Sequence, residues 1–237
     1  MAARLTALVA LTLLSYPLGL LLAHPWLLPA LNTLPAYILM VERLRAGDRR
    51  GAVTGVLAWA AALALFGTVS FALWPSPPES VVMNGRAYRE EMFRWICSGV
   101  GREGSARLFL PEHLLHLALF VGLCLASASA LGILMGAVLM NYMSFYVSSL
   151  LRAGVPATTV VLLGWQPWAL CRVAAFCILG VVLAEPLLRR LRPYAGARFA
   201  DGWPWLLAAG VGILADWLLK AFLAPTWGLL LRGYLCR

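Results

Sequence analysis

Long apolar segments alternate with short connections along almost the whole chain, and only two of those connections are dense in arginine. About 20 consecutive apolar residues are needed to cross the hydrocarbon core of a bilayer, and the 237 residues leave room for six or seven crossings. Hydrophobic residues make up 62% of the chain, against roughly 45–50% in soluble domains. The sequence therefore predicts an all-α, polytopic transmembrane helix bundle that forms a single domain over residues 1–237.

Seven segments are candidate membrane crossings, and for two stretches the path stays open. The candidates are 5–23, 27–41, 52–74, 112–130, 132–151, 168–188 and 203–224. The segment 27–41 is short and holds Pro29 and Pro35, so it either crosses the membrane or lies partly in its interface. Residues 155–166 precede Pro167, which removes a backbone donor, so we expect them to pack as a separate or re-entrant piece. We expect the first segment to be retained, because no clear signal-peptidase site follows it.

The two arginine-rich connections predict the orientation of the chain. One holds Arg43, Arg45, Arg49 and Arg50, and the other holds Arg189, Arg190, Arg192 and Arg198. Cytoplasmic loops carry an excess of Lys and Arg, so these two connections and the N-terminus are predicted to be cytoplasmic. The loop 75–111 carries five Arg and, with Glu112, five Glu. It is neutral and is predicted to be the extracytoplasmic loop, with a short amphipathic helix over 88–96 on the membrane surface.

Composition also limits the partners and the location. The net charge of +9 does not indicate nucleic acid, because the basic residues lie beside apolar segments and no soluble basic face carries them. Almost all basic residues are arginine, which we interpret as a GC-rich coding bias and hence a bacterial cytoplasmic membrane. No complete cofactor motif is present, so no cofactor is predicted. The predicted partners are membrane lipids and other membrane protein subunits.

Ionisable side chains within predicted crossings are candidate site residues, since they are costly in lipid and usually face the bundle interior. Arg172, Asp216 and Lys220 all fall in the outer half of the predicted membrane, and with Asn141 they form a candidate polar cluster. Asp216 and Lys220 are four residues apart and share a helix face. One Asp shared by two cations leaves one excess positive charge, which would suit an anionic headgroup. The alternative is a buried ion pair that only fixes the helix register.

The histidines suggest a second candidate site on the outer side. His113 and His116 point the same way from a helix, beside Glu112, and His24 follows the first segment. Imidazole and carboxylate groups bind zinc or copper, so these four residues are a candidate metal or headgroup site. The alternative is that they are ordinary interfacial residues.

Cys97 and Cys236 both map to the outer side, where a disulfide between them would persist. The remaining cysteines, Cys124, Cys171 and Cys177, lie in apolar segments and are predicted to be small core residues.

Two stretches carry family resemblances. Cys97-Ser98-Gly99 resembles the Cys-Ser-Gly motif of the exosortase and archaeosortase membrane transpeptidases, with Asn141 in place of a family asparagine. Ser144 stands where that family has arginine, and no histidine follows. The segments 131–138 and 215–225 resemble the stage II sporulation protein M family of integral membrane proteins, over roughly 109–225. That family's Pro-His-Gly is replaced here by Gly164-Trp165-Gln166-Pro167. The second resemblance implies a non-enzymatic membrane partner.

Three functions remain open from the sequence. The first is a non-enzymatic membrane subunit that packs with partner proteins, or binds lipid or substrate, through the outer polar cluster. The second is a small transporter or permease subunit with Arg172, Asp216 and Lys220 on its pathway. The third is an intramembrane cysteine transpeptidase or protease that uses Cys97.

Overall fold

The computed structural model describes residues 2–74, 78–191 and 199–236, which contain helices, turns and loops but no strand. The α-helices are α1 Ala2–Leu22, α2 Leu27–Arg45, α3 Arg49–Leu73, α4 Gly85–Ser98, α5 Ala106–Ser127, α6 Ala130–Arg152, α7 Ala157–Leu163, α8 Pro167–Leu191 and α9 Trp203–Leu235. Short 3-10 helices cover Arg102–Gly104 and Phe199–Gly202. The predicted all-α class is confirmed.

Six helices of the described part, α1, α3, α5, α6, α8 and α9, are long and apolar enough to cross a membrane. The protein is therefore a multi-pass integral membrane protein. Helix α2 is less apolar, but it runs antiparallel to α1 over most of its length. Arg4 at the start of α1 lies 3.2 Å from Glu42 near the end of α2, and the Asn32 amide donates to Ser15 Oγ at 2.6 Å. Helix α2 thus returns the chain to the end of the bundle at which α1 began.

This alternation gives the bundle two ends. The arginine end holds the turns at 46–48 and 128–129 and the 3-10 helix Phe199–Gly202. The loop end holds the turn at 23–26, residues 78–105, helix α7 and Cys236. The described members of both arginine clusters lie at the arginine end, whereas Arg192 and Arg198, like residues 75–77 of the predicted outer loop, lie outside the described residues.

A buried ion pair joins two helices at the arginine end. Arg49 Nε donates to Glu185 Oε1 at 2.5 Å, and Arg49 Nη1 donates to the carbonyl oxygen of Asp201 at 2.8 Å. The Arg49 and Glu185 side chains are both buried, and Arg189 lies 3.5 Å from the same carboxylate. Because a buried charge is stable only when paired, this contact fixes α3 against α8.

The amphipathic helix predicted over 88–96 is confirmed as α4, whereas its position on the membrane surface stays a prediction. Met92, Trp95 and Ile96 are buried against the bundle, where α4 contacts α6 and α9. Burial of this face removes its apolar area from water. Helix α4 therefore covers the loop end of the bundle.

One other predicted segment is revised, and another is confirmed. The last crossing was predicted to end at residue 224, before Pro225, yet α9 continues through this proline to Leu235. Tertiary contacts hold the extension, because Trp227 Nε1 donates to the Leu163 carbonyl at 2.8 Å and Arg232 Nε donates to the Ile96 carbonyl at 2.8 Å. The stretch 155–166 does form a separate piece, the short helix α7.

Candidate functional site

Three helices bring four ionisable side chains together towards the loop end. His113 comes from α5, Arg172 from the first turns of α8, and Asp216 and Lys220 from the middle of α9. His113 Nδ1 lies 3.3 Å from Asp216 Oδ2, and Arg172 Nη1 lies 2.6 Å from His113 Nε2. Arg172 Nη1 also lies 3.9 Å from Asp216 Oδ2. His113 is thus the centre of the cluster, although the sequence had placed it in a separate metal site.

The geometry assigns the proton on His113. Its Nδ1 faces the Asp216 carboxylate and must donate, whereas its Nε2 faces Arg172 at 2.6 Å and Lys220 Nζ at 3.3 Å and must accept. A neutral imidazole has one donor and one acceptor nitrogen, so this ring is neutral, with its proton on Nδ1.

Glu103 is the fifth member of the cluster, and it was missed in the sequence. The Lys220 ammonium donates to Glu103 Oε1 at 2.8 Å, and it lies 4.7 Å from the centre of the Phe109 ring. Glu103 belongs to the 3-10 helix Arg102–Gly104 in a loop rich in Arg and Glu, which in sequence looks like a solvated connection. Nothing local distinguishes it from the other glutamates of that loop.

The second carboxylate changes the charge of the cluster. Two cations, Arg172 and Lys220, now face two carboxylates, Asp216 and Glu103, around the neutral His113. The one excess positive charge that the sequence predicted is therefore absent. Burial alone would raise the pKa of the Glu103 carboxyl, but Lys220, and then Arg172, outweigh it and hold that pKa below its ordinary value.

A cavity of about 460 Å³ extends from this cluster into the bundle. This volume is within the ~300–1,000 Å³ typical of ligand pockets. The lining on α8 runs from Ala169 to Val181, a rise of about 18 Å at 1.5 Å per residue. The lining towards the loop end, which we call the mouth, includes the charged and histidine side chains, whereas the lining towards the arginine end, which we call the deeper part, is apolar. The deeper lining includes Phe120, Ile133, Met140, Phe176 and Val181.

A second ion group lies at the mouth of the cavity. Arg102 Nε lies 3.0 Å from Glu91 Oε1, and Arg102 Nη1 lies 2.7 Å from Glu112 Oε2. All three residues line the cavity, as does His116. Because Glu91 is on α4 and Glu112 is on α5, Arg102 ties the covering helix to the bundle beside the cluster of five.

The four residues of the candidate metal or headgroup site are distributed differently from the sequence prediction. Glu112 pairs with Arg102, and His113 contacts Arg172 and Asp216. His24 lies exposed in the turn between α1 and α2, where its Nδ1 is 3.4 Å from the Trp26 backbone N. Within residues 2–74, 78–191 and 199–236, no group of three or more His, Cys, Asp or Glu side chains has a metal-binding arrangement.

Asn141 does not join the polar cluster but belongs to a second buried network. Its Nδ2 donates to Asn32 Oδ1 at 2.7 Å, and its Oδ1 accepts from the Tyr16 hydroxyl at 3.1 Å. Trp59 Nε1 donates to the Asn32 carbonyl oxygen at 2.8 Å. These bonds connect α1, α2, α3 and α6, and they satisfy polar groups that lipid cannot hydrate. The network therefore has a structural explanation that needs no ligand.

Cys97 and Cys236 form a disulfide that joins the end of α4 to the end of α9, with their Cα atoms 5.7 Å apart. The nucleophile in cysteine chemistry is a thiolate, and the sulfur of Cys97 is bonded to another sulfur here. Comparison of the chain with protein-family models, curated proteins and solved structures gives no match in any of the three.

Proposed function

We propose that this protein is a non-enzymatic integral membrane subunit that binds a lipid or a similar amphiphilic molecule in the cavity. The observation that carries the proposal is the continuity of a charged mouth and an apolar interior within one space of about 460 Å³. A molecule with a polar head and a hydrocarbon chain matches both parts. A soluble polar substrate would leave the apolar part unfilled.

In a bilayer, the head group of such a molecule must determine how tightly the cavity binds it. A hydrocarbon chain that moves from lipid into an apolar protein cavity gains no hydrophobic free energy, because lipid tails are as apolar as leucine. The polar mouth must therefore provide most of the affinity. We further propose that the arginine end faces the cytoplasm of a bacterial cell, because positive connections are retained on that side. The head group would then bind in the outer leaflet.

A cavity-filling variant tests the binding proposal. Gly136 of α6 lines the cavity, and a Cβ added there meets no atom within 4 Å. Gly136→Leu should therefore occupy part of the apolar interior without displacing the bundle. Gly122→Leu is the matched control, because Gly122 lies exposed on α5, outside the cavity lining, and also has open space around an added Cβ.

Native mass spectrometry of protein released from lipid nanodiscs measures the outcome. We expect wild type and Gly122→Leu to retain one bound lipid and Gly136→Leu to lose most of it. Equal retention by all three proteins would contradict the proposal. Co-purification under mild detergent tests the subunit role, for which a stoichiometric membrane partner is expected.

A small permease subunit is the second candidate, favoured by the depth of the cavity along α8. Flux of a fluorescent lipid analogue across proteoliposomes separates it from simple binding. The transpeptidase alternative has less support, because Cys97 is in a disulfide and an activity that depends on it would require a reductant.

A further inference from the structure

The mouth of the cavity has hydrogen-bond donors and hydrogen-bond acceptors that no other described residue uses. Arg172 is 25% exposed and uses Nη1 for its contacts with His113 and Asp216, so within the described residues its Nη2 and Nε have no partner. His116 lines the same mouth, with no hydrogen-bond partner among the described residues. The Nη2 and Nε groups of Arg172 can therefore donate to a ligand, and together with the His116 imidazole they suit the oxygens of a phosphate.

Unused acceptors lie at the same mouth. Glu91 binds Arg102 through Oε1 and Glu112 binds it through Oε2, so each keeps one carboxylate oxygen without a partner in the described part of the chain. These side chains are 29% and 36% exposed. Carboxylate oxygens accept hydrogen bonds, so they suit a primary ammonium group.

The charge balance excludes a purely anionic head as the best ligand. The charged lining consists of three cations, Arg102, Arg172 and Lys220, and three carboxylates, Glu91, Glu103 and Glu112. Asp216 lies behind them and adds one more negative charge. A net negative ligand would leave a charge uncompensated in a site of low dielectric constant, which is costly. A ligand with one charge of each sign adds no net charge.

We infer that the cavity binds an aminophospholipid, with its phosphate at Arg172 and His116 and its primary ammonium at Glu91 and Glu112. This inference rests on the proposed lipid-binding function and specifies its ligand class. The apolar interior favours the lipid over a soluble molecule with the same head. A choline head carries three methyl groups in place of the ammonium protons and cannot donate to the two carboxylates.

Competition in nanodiscs tests the inference on the intact protein. Nanodiscs contain equal amounts of phosphatidylethanolamine, phosphatidylglycerol and phosphatidylcholine with identical chains, and the lipid retained by the protein is identified by native mass spectrometry. We expect phosphatidylethanolamine to be retained about tenfold over each of the others, since a hydrogen bond to a charged group is worth about that factor. Equal retention of the three lipids, or preference for either of the others, would overturn the inference.

Variants of neighbouring residues sharpen the test. Glu91→Gln combined with Glu112→Gln removes both acceptor charges and should abolish the preference for phosphatidylethanolamine. Glu90→Gln is the matched control, because Glu90 is the neighbour of Glu91 on α4 but does not line the cavity. An unchanged preference in the double variant would contradict the ammonium site.

Competition by a soluble head group distinguishes binding of the whole lipid from binding of its head group alone. Glycerophosphoethanolamine, which lacks the chains, should not displace the bound lipid at equal concentration, and displacement would overturn the lipid assignment. The two proposals fail differently. If no lipid is retained and Gly136→Leu behaves as wild type, the proposed function fails. If lipid is retained without head-group preference, only the present inference fails.

Discussion

Lys220 of α9 donates to Glu103 at 2.8 Å across 117 residues of sequence. The lysine is almost fully buried, and the glutamate is 12% exposed. Because Glu103 lies in the loop that follows α4, this pair joins the covering segment to the membrane-spanning bundle.

Removal of the Glu103 charge should destabilise the protein. Glu103→Gln leaves the buried Lys220 ammonium facing a neutral amide and His113 instead of a carboxylate, and the loss of one partner of a buried pair costs about 3–5 kcal/mol. We expect a clear drop in the thermal unfolding temperature in detergent. Lys220→Met combined with Glu103→Gln should recover part of it. Glu90→Gln, at an exposed position, should stay within about 0.5 kcal/mol of wild type. A Glu103→Gln protein as stable as wild type would contradict the pairing.

The stability should also depend on pH through Glu103. The pKa of its carboxyl is held below the ordinary value in the folded protein, mainly because Lys220 outweighs the effect of burial. A carboxyl whose pKa is lower in the folded state stabilises fully above its unfolded pKa of about 4.3, and that stabilisation is lost as the pH falls below this value through the folded pKa. The unfolding temperature of wild type should therefore fall more steeply below about pH 4.3 than that of Glu103→Gln. Parallel pH profiles for the two proteins would count against this role.

The disulfide should stabilise the loop end. Cys97→Ser with Cys236→Ser removes a link across 139 residues, and loss of a disulfide costs typically about 2–4 kcal/mol. A mobility difference between reduced and non-reduced wild type on a gel, absent in the double variant, checks the bond itself. Cys171→Ser is the control, since Cys171 is a free cysteine and its replacement should leave that difference unchanged.

The ion pair at the arginine end provides a comparison between two adjacent arginines. Arg49→Gln leaves the buried Glu185 with Arg189 at 3.5 Å as its remaining ion-pair partner, and we expect a loss of several kcal/mol. Arg50→Gln changes an exposed neighbour and should have little effect. Chemical or thermal unfolding of both variants measures the difference. Similar losses in the two would show that the α3 to α8 contact does not depend on the Arg49–Glu185 pair.

Orientation is testable with single reporter cysteines in a background of Cys171→Ser. A membrane-impermeant thiol reagent should label Glu90→Cys at the loop end in intact cells. Arg45→Cys at the arginine end should be labelled only after the membrane is opened. The reverse pattern would overturn the proposed orientation and would move the charged mouth of the cavity to the cytoplasmic leaflet.

The sequence predicted the helices more accurately than the contacts between them. Six of the seven predicted crossings correspond to α1, α3, α5, α6, α8 and α9, because a run of apolar residues long enough to cross lipid is a local property. The predicted end of the last segment, at residue 224, was wrong for helix α9. The helix continues because the distant carbonyls of Leu163 and Ile96 hold its turns after Pro225.

The amino-acid sequence by itself determined that this chain resides in a membrane, and that Arg172, Asp216 and Lys220 are costly enough in lipid to need partners. It also gave the starts of the long helices to within about three residues, except for α5, which begins at Ala106 rather than at residue 112. Only the tertiary structure decided which partners they have. It placed His113 between them, added Glu103 from the loop, and left Asn141 in a separate network. The physical reason is that hydropathy is summed along a segment, whereas a buried charge is stabilised by whatever group the rotation and depth of neighbouring helices bring within about 3 Å of it.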